Sequence, residues 1–346
     1  MTDAGWESAW RALAEKELAG APVASLSPPR DDGLVIDPVS TADASREEGL
    51  AKALGARALV VVTDRAADVP LAAGCEGLWW RSAERAPADH PVLVREPRAS
   101  SPGHAPPRED GVTLLTHAHE HGASATTQIA IAVVAALEPS EQEVVRVAVA
   151  VGPELFVEIA KLRALRRLVG RALASTGAAE RSVWIAARSA DRHAARLDVA
   201  TNAIRATLAC TAAMIGGADV IGVLPMDATP RGARLARNTG VILARESHLL
   251  AVDDAARGSF AIETLTDRMA REAWARAREI AAAGPSRARE WIERDAAARR
   301  AAIAEGRRPI VGVTKFALAS ETCADPGPDD PRDAAPLEAA RSRGAR

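Results

Sequence analysis

From residue 46 onward the chain alternates short apolar runs with longer stretches in which apolar residues recur every three or four positions. The runs are ALVVVTD (58–64), GLWWR (77–81), PVLVRE (91–96), GVTLLTHA (111–118), VVRVAVAVG (144–152), SVWIAARS (182–189), VIGVLP (220–225) and PIVGVTKF (309–316). Short β-branched runs of this kind are what strands buried in a parallel sheet require. Between the later runs the 3.6-residue period predicts helices over 123–138, 153–176, 198–215, 230–247 and, as two segments, 262–306. Eight strands with helical crossovers predict an α/β fold: a (β/α)8 TIM barrel, shortened or irregular in its first half. There the connections are short and REPRASSPGHAPPRED reads as loop. An open doubly wound sheet is the alternative, but no GxGxxG or GxxxxGK[ST] follows any run to support it.

The flanks differ from this body. Residues 4–20 place Trp6, Trp10, Leu13 and Leu18 near helical spacing, stop at Gly20, and lead into the Pro-rich APVASLSPPRDDG. Residues 1–45 therefore read as an arm, 46–318 as the barrel, and 319–346, rich in Pro, Asp, Ala and Arg without apolar period, as a disordered tail.

Charge narrows the function classes. A net charge of −2 with 26% charged residues gives no field that draws the chain to nucleic acid or to a membrane surface. The longest apolar run, IAIAVVAAL (129–137), falls short of a membrane span, and MTDAGWESAW is no signal peptide. Three cysteines without CxxC spacing fit a reducing compartment, so a cytoplasmic location is expected. Tyrosine is absent altogether, which removes phenol chemistry from any site the chain builds.

The chemistry concentrates in LLTHAHEHGAS (114–124). Its three imidazoles, His117, His119 and His121, alternate, so a continuing strand would point all of them to one face. With Asp191, His193 and Asp227, which follow later strands, they could bind a divalent ion for metal-dependent hydrolysis. Ordinary polar side chains at a barrel mouth, one of them functional, are the plainer reading. DRHAAR (191–196) lies in a highly charged stretch that reads as a solvated loop, and the arginines of FVEIAKLRALRRL as a solvated helix face.

The order of residues says more. FVEIAKLRALRRL, TNAIRATLACTAAMIGGADVIGVLPMD (201–227), RLARNTGVILARESHL (234–249) and GSFAIETLTDRMAREAW (258–274) resemble, in order, segments of the methylmalonyl-CoA mutase family's barrel domain. WRALAEKELAGA, DDGLVIDPVST and RRPIVGVTKFA resemble its opening and closing segments, so the resemblance spans 6–41 and about 112–317. It implies that His119 occupies the position of the active-site histidine, which in catalytic members hydrogen-bonds the acyl-CoA thioester carbonyl. Ala118 stands where they carry tyrosine.

The resemblance implies a small, non-catalytic subunit rather than a complete enzyme. DVIGVL (219–224) replaces the pocket-lining Gln-Ser-Leu-His-Thr-Asn of catalytic members, and DRHAAR lacks the glycine of their cobalamin-binding DxHxxG loop. The implied role is a small-subunit-like part of a heterodimeric mutase that interconverts methylmalonyl-CoA and succinyl-CoA. Adenosylcobalamin would be bound by the large catalytic subunit rather than by a C-terminal domain of this chain. One alternative is a barrel that catalyses on acyl-CoA with a stand-alone cobalamin-binding subunit; another is the metal hydrolase.

Overall fold

The β-branched runs at Val144–Val151 and Ser182–Ser189 pair in parallel along their whole length and anchor an eight-stranded sheet. The computed structural model describes residues 4–27, 33–35, 38, 59–63, 78–80, 92–96, 108–109, 111–140, 142–323, 330 and 332–344. Its strands are β1 (Leu59–Thr63), β2 (Leu78–Trp80), β3 (Val92–Arg95), β4 (Arg108–Glu109), β5 (Val112–Leu114), β6 (Val144–Val151), β7 (Ser182–Ser189) and β8 (Val220–Val223). The order across the sheet is β3-β2-β1-β8-β7-β6-β5-β4, parallel throughout except for the β4–β5 hairpin.

Alternation along the strands sorts two cores. Val145, Val147, Val149 and Val151 of β6, with Val183, Ile185 and Ala187 of β7, face the helices in one large cluster. The opposite positions, Ala148, Ala186 and Val220, meet Trp79, Val94, Val112 and Leu114 in a second, inner cluster. Strands from both ends of the sheet thus share one interior, so the sheet is rolled. Among the described residues no strand pairing joins β3 to β4. The arrangement is consistent with a TIM-barrel-like domain.

Seven of the eight expected strands lie in the sheet; the eighth does not. Residues 309–316 instead fold into a tight turn, in which Ile310 O accepts from Val313 N at 3.0 Å and Thr314 N at 2.8 Å. The Thr314 hydroxyl accepts from Ile310 N at 2.7 Å, giving the backbone a local alternative to a ladder. Gly312 makes the turn possible: φ is +81°, and a Cβ there would lie 2.5 Å from Asp198 Cβ. β1 therefore pairs directly with β8.

The helices follow the apolar period closely. They are α1 (Ala4–Glu17), α2 (Leu115–Glu120), α3 (Ala125–Ala136), α4 (Leu155–Ser175), α5 (Thr201–Ile215), α6 (Pro230–Arg245), α7 (Phe260–Ala283), α8 (Pro285–Ala304) and α9 (Ala335–Gly344). Two depart from expectation. α2 takes up LTHAHE where a strand was expected to run on, and α9 forms within the segment read as a disordered tail. Residues 324–329 of that segment lie outside the described residues, as do the expected loop at 97–107 and the connections at 64–77 and 81–91. In the arm, Leu34 is fully buried in the helix-side core and Arg268 donates to Val35 O at 2.7 Å. Among the described residues no helix is long and apolar enough to cross a membrane.

The α4 arginines are not a solvated face. Arg163 pairs with Asp254 and Glu263, while Arg166 donates to Gly217 O and Asp219 Oδ2, each at 2.7 Å. Both are buried. The period showed which side carried cations but not that α7 and the β8 approach would cover it with carboxylates.

One ion cluster ties the rolled sheet together. Arg188, on the inner face of β7, donates to both oxygens of Glu96 at 2.7 and 2.9 Å and to Glu120 at 3.0 Å. Trp79 Nε1 donates to Glu96 at 2.7 Å. Burial opposes the charge on Arg188, but Glu96, then Glu120 and Asp191, hold it ionised well above its ordinary range. Removing one partner of a buried pair leaves an uncompensated charge, which costs about 3–5 kcal/mol. Glu96→Ala should therefore lower unfolding stability in urea by that amount. Arg287→Ala, which breaks exposed pairs with Glu279 and Glu290, should leave the urea midpoint close to that of the wild type.

Candidate functional site

The C-terminal ends of β5, β6 and β7 bring the chemical residues together. β5 passes straight into α2, and the first turn of this helix buries Leu115, Thr116 and Ala118. Helical geometry separates the imidazoles that alternation would have aligned. His119 points inward and is 1% exposed, whereas His117 and His121 are half-buried. His121 Nδ1 lies 2.8 Å from His117 O. Among the described residues no three His, Cys, Asp or Glu side chains converge as metal ligands. Asp227 is elsewhere, accepting from Thr229 N at 2.9 Å at the start of α6.

His119 instead meets His193. Their Nε2 atoms are 3.3 Å apart and the rings stand edge to face at 5.4 Å between centroids. His193 arrives on a short 3₁₀ turn, Asp191–His193, directly after β7. Glu120 shapes that turn, its carboxylate accepting from Asp191 N at 3.0 Å and Arg192 N at 2.7 Å. Gly152, at the end of β6, permits the approach: a Cβ there would come within 2.6 Å of His193 Nε2. The stretch read as a solvated loop is thus a buried wall of the site.

Each ring is fixed on its far side. Gln128 Nε2, from α3, lies 3.1 Å from His119 Nδ1 and donates to Ala123 O at 3.0 Å. Arg299 Nη2, from α8, lies 3.1 Å from His193 Nδ1, and Arg299 Nε binds both oxygens of Asp333 at 2.8 and 2.9 Å. Beneath them Lys161 is wholly buried on α4, donating to Ala150 O at 2.7 Å and paired with Glu158. Burial draws the Lys161 ammonium below its usual range, with Glu158 opposing.

The segment before and within α9 closes this side. Asp333 N donates to Arg192 O at 2.9 Å, and the buried Glu338 carboxylate accepts from Arg196 N and from Leu197 N, the latter at 3.2 Å. Arg332 pairs with Glu338 at 2.9 Å.

Two clefts flank the histidine pair. One, partly open to solvent and with about 410 Å³ of free space counting that open part, is lined by His119, Gln128, Glu154, Glu158, Arg192 and Arg308 among others. The other, about 370 Å³, is lined by His193, Ser189, Asp191, Asn202 and Arg205 among others. Sequence reasoning had singled out His119 and His193 separately and had missed Gln128, Lys161, Arg192, Arg299 and Asp333. Nothing in their local spacing marks them. Cys210 offers no nucleophile, because burial pushes its thiol up to about 12. Cys75 lies outside the described residues.

The family profile described as methylmalonyl-CoA mutase matches residues 114–341, well over half of the chain. The chain belongs to the methylmalonyl-CoA mutase family. A methylmalonyl-CoA mutase small subunit of Streptomyces virginiae is 39% identical over 205 residues, covering 52% of this chain and 31% of the relative. A probable methylmalonyl-CoA mutase small subunit of Mycobacterium bovis is 35% identical over 256 residues, 65% of this chain and 42% of the relative. The Escherichia coli methylmalonyl-CoA mutase is 33% identical over 186 residues, 49% and 26% respectively. The chain thus spans less than half the length of these mutase-family relatives. The matched region contains His119, Gln128, Lys161, His193, Arg299 and Asp333.

Burial, reinforced for His119 by Arg192 and for His193 by Arg299, holds both imidazoles neutral, well below their ordinary value. In the unfolded chain they titrate near 6.5, so falling pH protonates the unfolded state first. Stability present at pH 7–8 should be lost below about pH 6.5, by up to about 1.4 kcal/mol per pH unit for each histidine. Urea titrations between pH 7.5 and 5.5 should show this slope, and His119→Gln should reduce it by one proton's worth.

Proposed function

We propose that this chain is the small-subunit component of a cobalamin-dependent methylmalonyl-CoA mutase. In this reading it is non-catalytic alone and works in the cytoplasm, paired with a large subunit that isomerises methylmalonyl-CoA and succinyl-CoA. The names of the small-subunit relatives support the pairing. The observation that carries the non-catalytic part is the filled strand-end mouth.

At that mouth α2, the Asp191–His193 turn, Arg299, Asp333 and α9 occupy the space above β5–β7. The clefts that remain are shallow and open to solvent and leave no room for a corrinoid. Nor do the described histidines of the mouth suit an axial cobalt ligand, since His119 and His193 are buried with each ring nitrogen engaged. The residues described here therefore do not fit adenosylcobalamin, and its binding falls to the partner in this reading. α1 supports a partner-wrapping arm: Leu13 is 55% exposed and Trp10 half-buried, while the Trp6 side chain lies outside the described residues.

A second reading makes the chain catalytic on acyl-CoA with a stand-alone cobalamin-binding subunit. It is favoured by the neutral His119 imidazole lining a cleft at the position the family resemblance assigns to the active-site histidine.

Co-expression with a large mutase subunit should yield a copurifying pair, and deleting residues 1–30 should weaken that pair on gel filtration. A chain that elutes unchanged with and without the large subunit would overturn the first reading. Isomerase turnover on mixing the chain with cobalamin and a separate cobalamin domain, lost in His119→Ala, would establish the second.

A further inference from the structure

α6 differs in charge from the other helices. It carries four arginines, Arg231, Arg234, Arg237 and Arg245, and no aspartate or glutamate; the next carboxylate, Glu246, is its C-cap. Among the described helices it is the one with several cations and no acid. The whole chain has a net charge of −2, so this is a local excess. Arg231, Arg234 and Arg245 are exposed and, among the described residues, pair with no carboxylate. Arg237 reaches only the Asn238 side-chain oxygen, at 3.5 Å. On α8, by contrast, the exposed Arg287 lies between Glu279 and Glu290. Helix stability does not account for the α6 arrangement. Arg231 falls in the first turn and Arg234 directly after it, where the helix dipole disfavours cations.

The same face carries apolar side chains. Gly232, Ala236 and Gly240 form the fully buried stripe by which α6 packs against β8 and β1. The 3.6-residue period puts Arg231, Arg234 and Arg245 opposite that stripe, with Leu235 and Ile242 along one edge of the arginine row. Leu235 is 41% exposed and Ile242 43%. The solvent side of α6 is therefore a row of unmatched cations beside two aliphatic side chains that lie two turns apart.

We propose that the outward face of α6 docks an acidic amphipathic helix of a partner protein. The partner's carboxylates pair with Arg231, Arg234 and Arg245, and its apolar residues cover Leu235 and Ile242. The complementarity is one of spacing as well as sign. At 1.5 Å per residue, Arg234 and Arg245 stand about 16 Å apart, which calls for carboxylates about three helical turns apart on the partner. A bilayer suits this face less well, because α6 is already held to the sheet and two half-exposed aliphatic groups offer little to insert. A nucleic-acid backbone would engage the arginines but leave Leu235 and Ile242 against phosphate. The inference does not rest on the proposed small-subunit role.

The test titrates the full chain into a fluorescein-labelled helical peptide that carries glutamates three turns apart beside leucines two turns apart. A control peptide has lysine for every glutamate. In fluorescence anisotropy the wild-type chain should bind the glutamate peptide saturably, and less tightly as salt rises. The lysine peptide should bind at least about tenfold more weakly. The double variants Arg231→Gln/Arg234→Gln and Leu235→Ser/Ile242→Ser should each weaken binding of the glutamate peptide by at least about tenfold. Their urea midpoints should stay close to that of the wild type, because all four side chains are exposed. The proposal falls if the wild-type chain does not bind the glutamate peptide, if either double variant binds it as tightly, or if the lysine peptide binds alike. It falls in favour of a lipid surface or a nucleic acid if phosphatidylserine vesicles or duplex DNA bind more tightly than the peptide and lose that binding in Arg231→Gln/Arg234→Gln. It falls in favour of a second copy if the chain alone sediments as a dimer that the same variant dissociates.

Discussion

A single guanidinium holds the rolled sheet and its site in register. Arg188 sits on the inner face of β7, where neighbouring inward positions carry alanine and leave room for its long side chain. Glu96 reaches it from the end of β3 and Glu120 from the end of α2. A charge so buried is tolerated only when carboxylates compensate it and its protons are hydrogen-bonded. The strand ends are therefore obliged to converge on it. Because Glu120 also accepts from the Asp191 and Arg192 backbone, the same knot shapes the turn that delivers His193 to His119.

The site is thus built outward from an electrostatic constraint. α8 supplies Arg299 and the segment before α9 supplies Asp333, so elements distant along the chain close over the strand ends. This closure explains why both imidazoles are neutral and why the free space divides into two modest clefts. In the mutase family, the departures read from the sequence, Ala118 and DVIGVL, lie close to or among these same strand ends. Altered chemistry and a filled mouth are two aspects of one region.

Much of the scaffold was legible before any coordinates. Helices α3 to α8 lie where the 3.6 period put them, because burying one face of a long helix leaves a repeating mark on sequence. Short segments were less readable. LLTHAHEHG alternates like a strand, yet α2 forms because its apolar residues and His119 turn inward together. PIVGVTKF has a strand's composition, but Gly312 and the Thr314 hydroxyl satisfy it as a turn. The charged tail lacked a strong apolar period because α9 docks through Glu338 and its arginine partner, with only small alanines, Ala335 and Ala339, buried beside them.

By itself, then, the order of residues determined the element types, the parallel α/β character and the family, since these rest on local period and on long contiguous motifs. Only the tertiary structure decided which charges are buried and against what. Arg188 and Glu96 are 92 positions apart, His119 and His193 are 74, and His193 and Arg299 are 106. Partners at such separations leave no periodic trace, because nothing local distinguishes an arginine bound for water from one that a distant carboxylate will enclose.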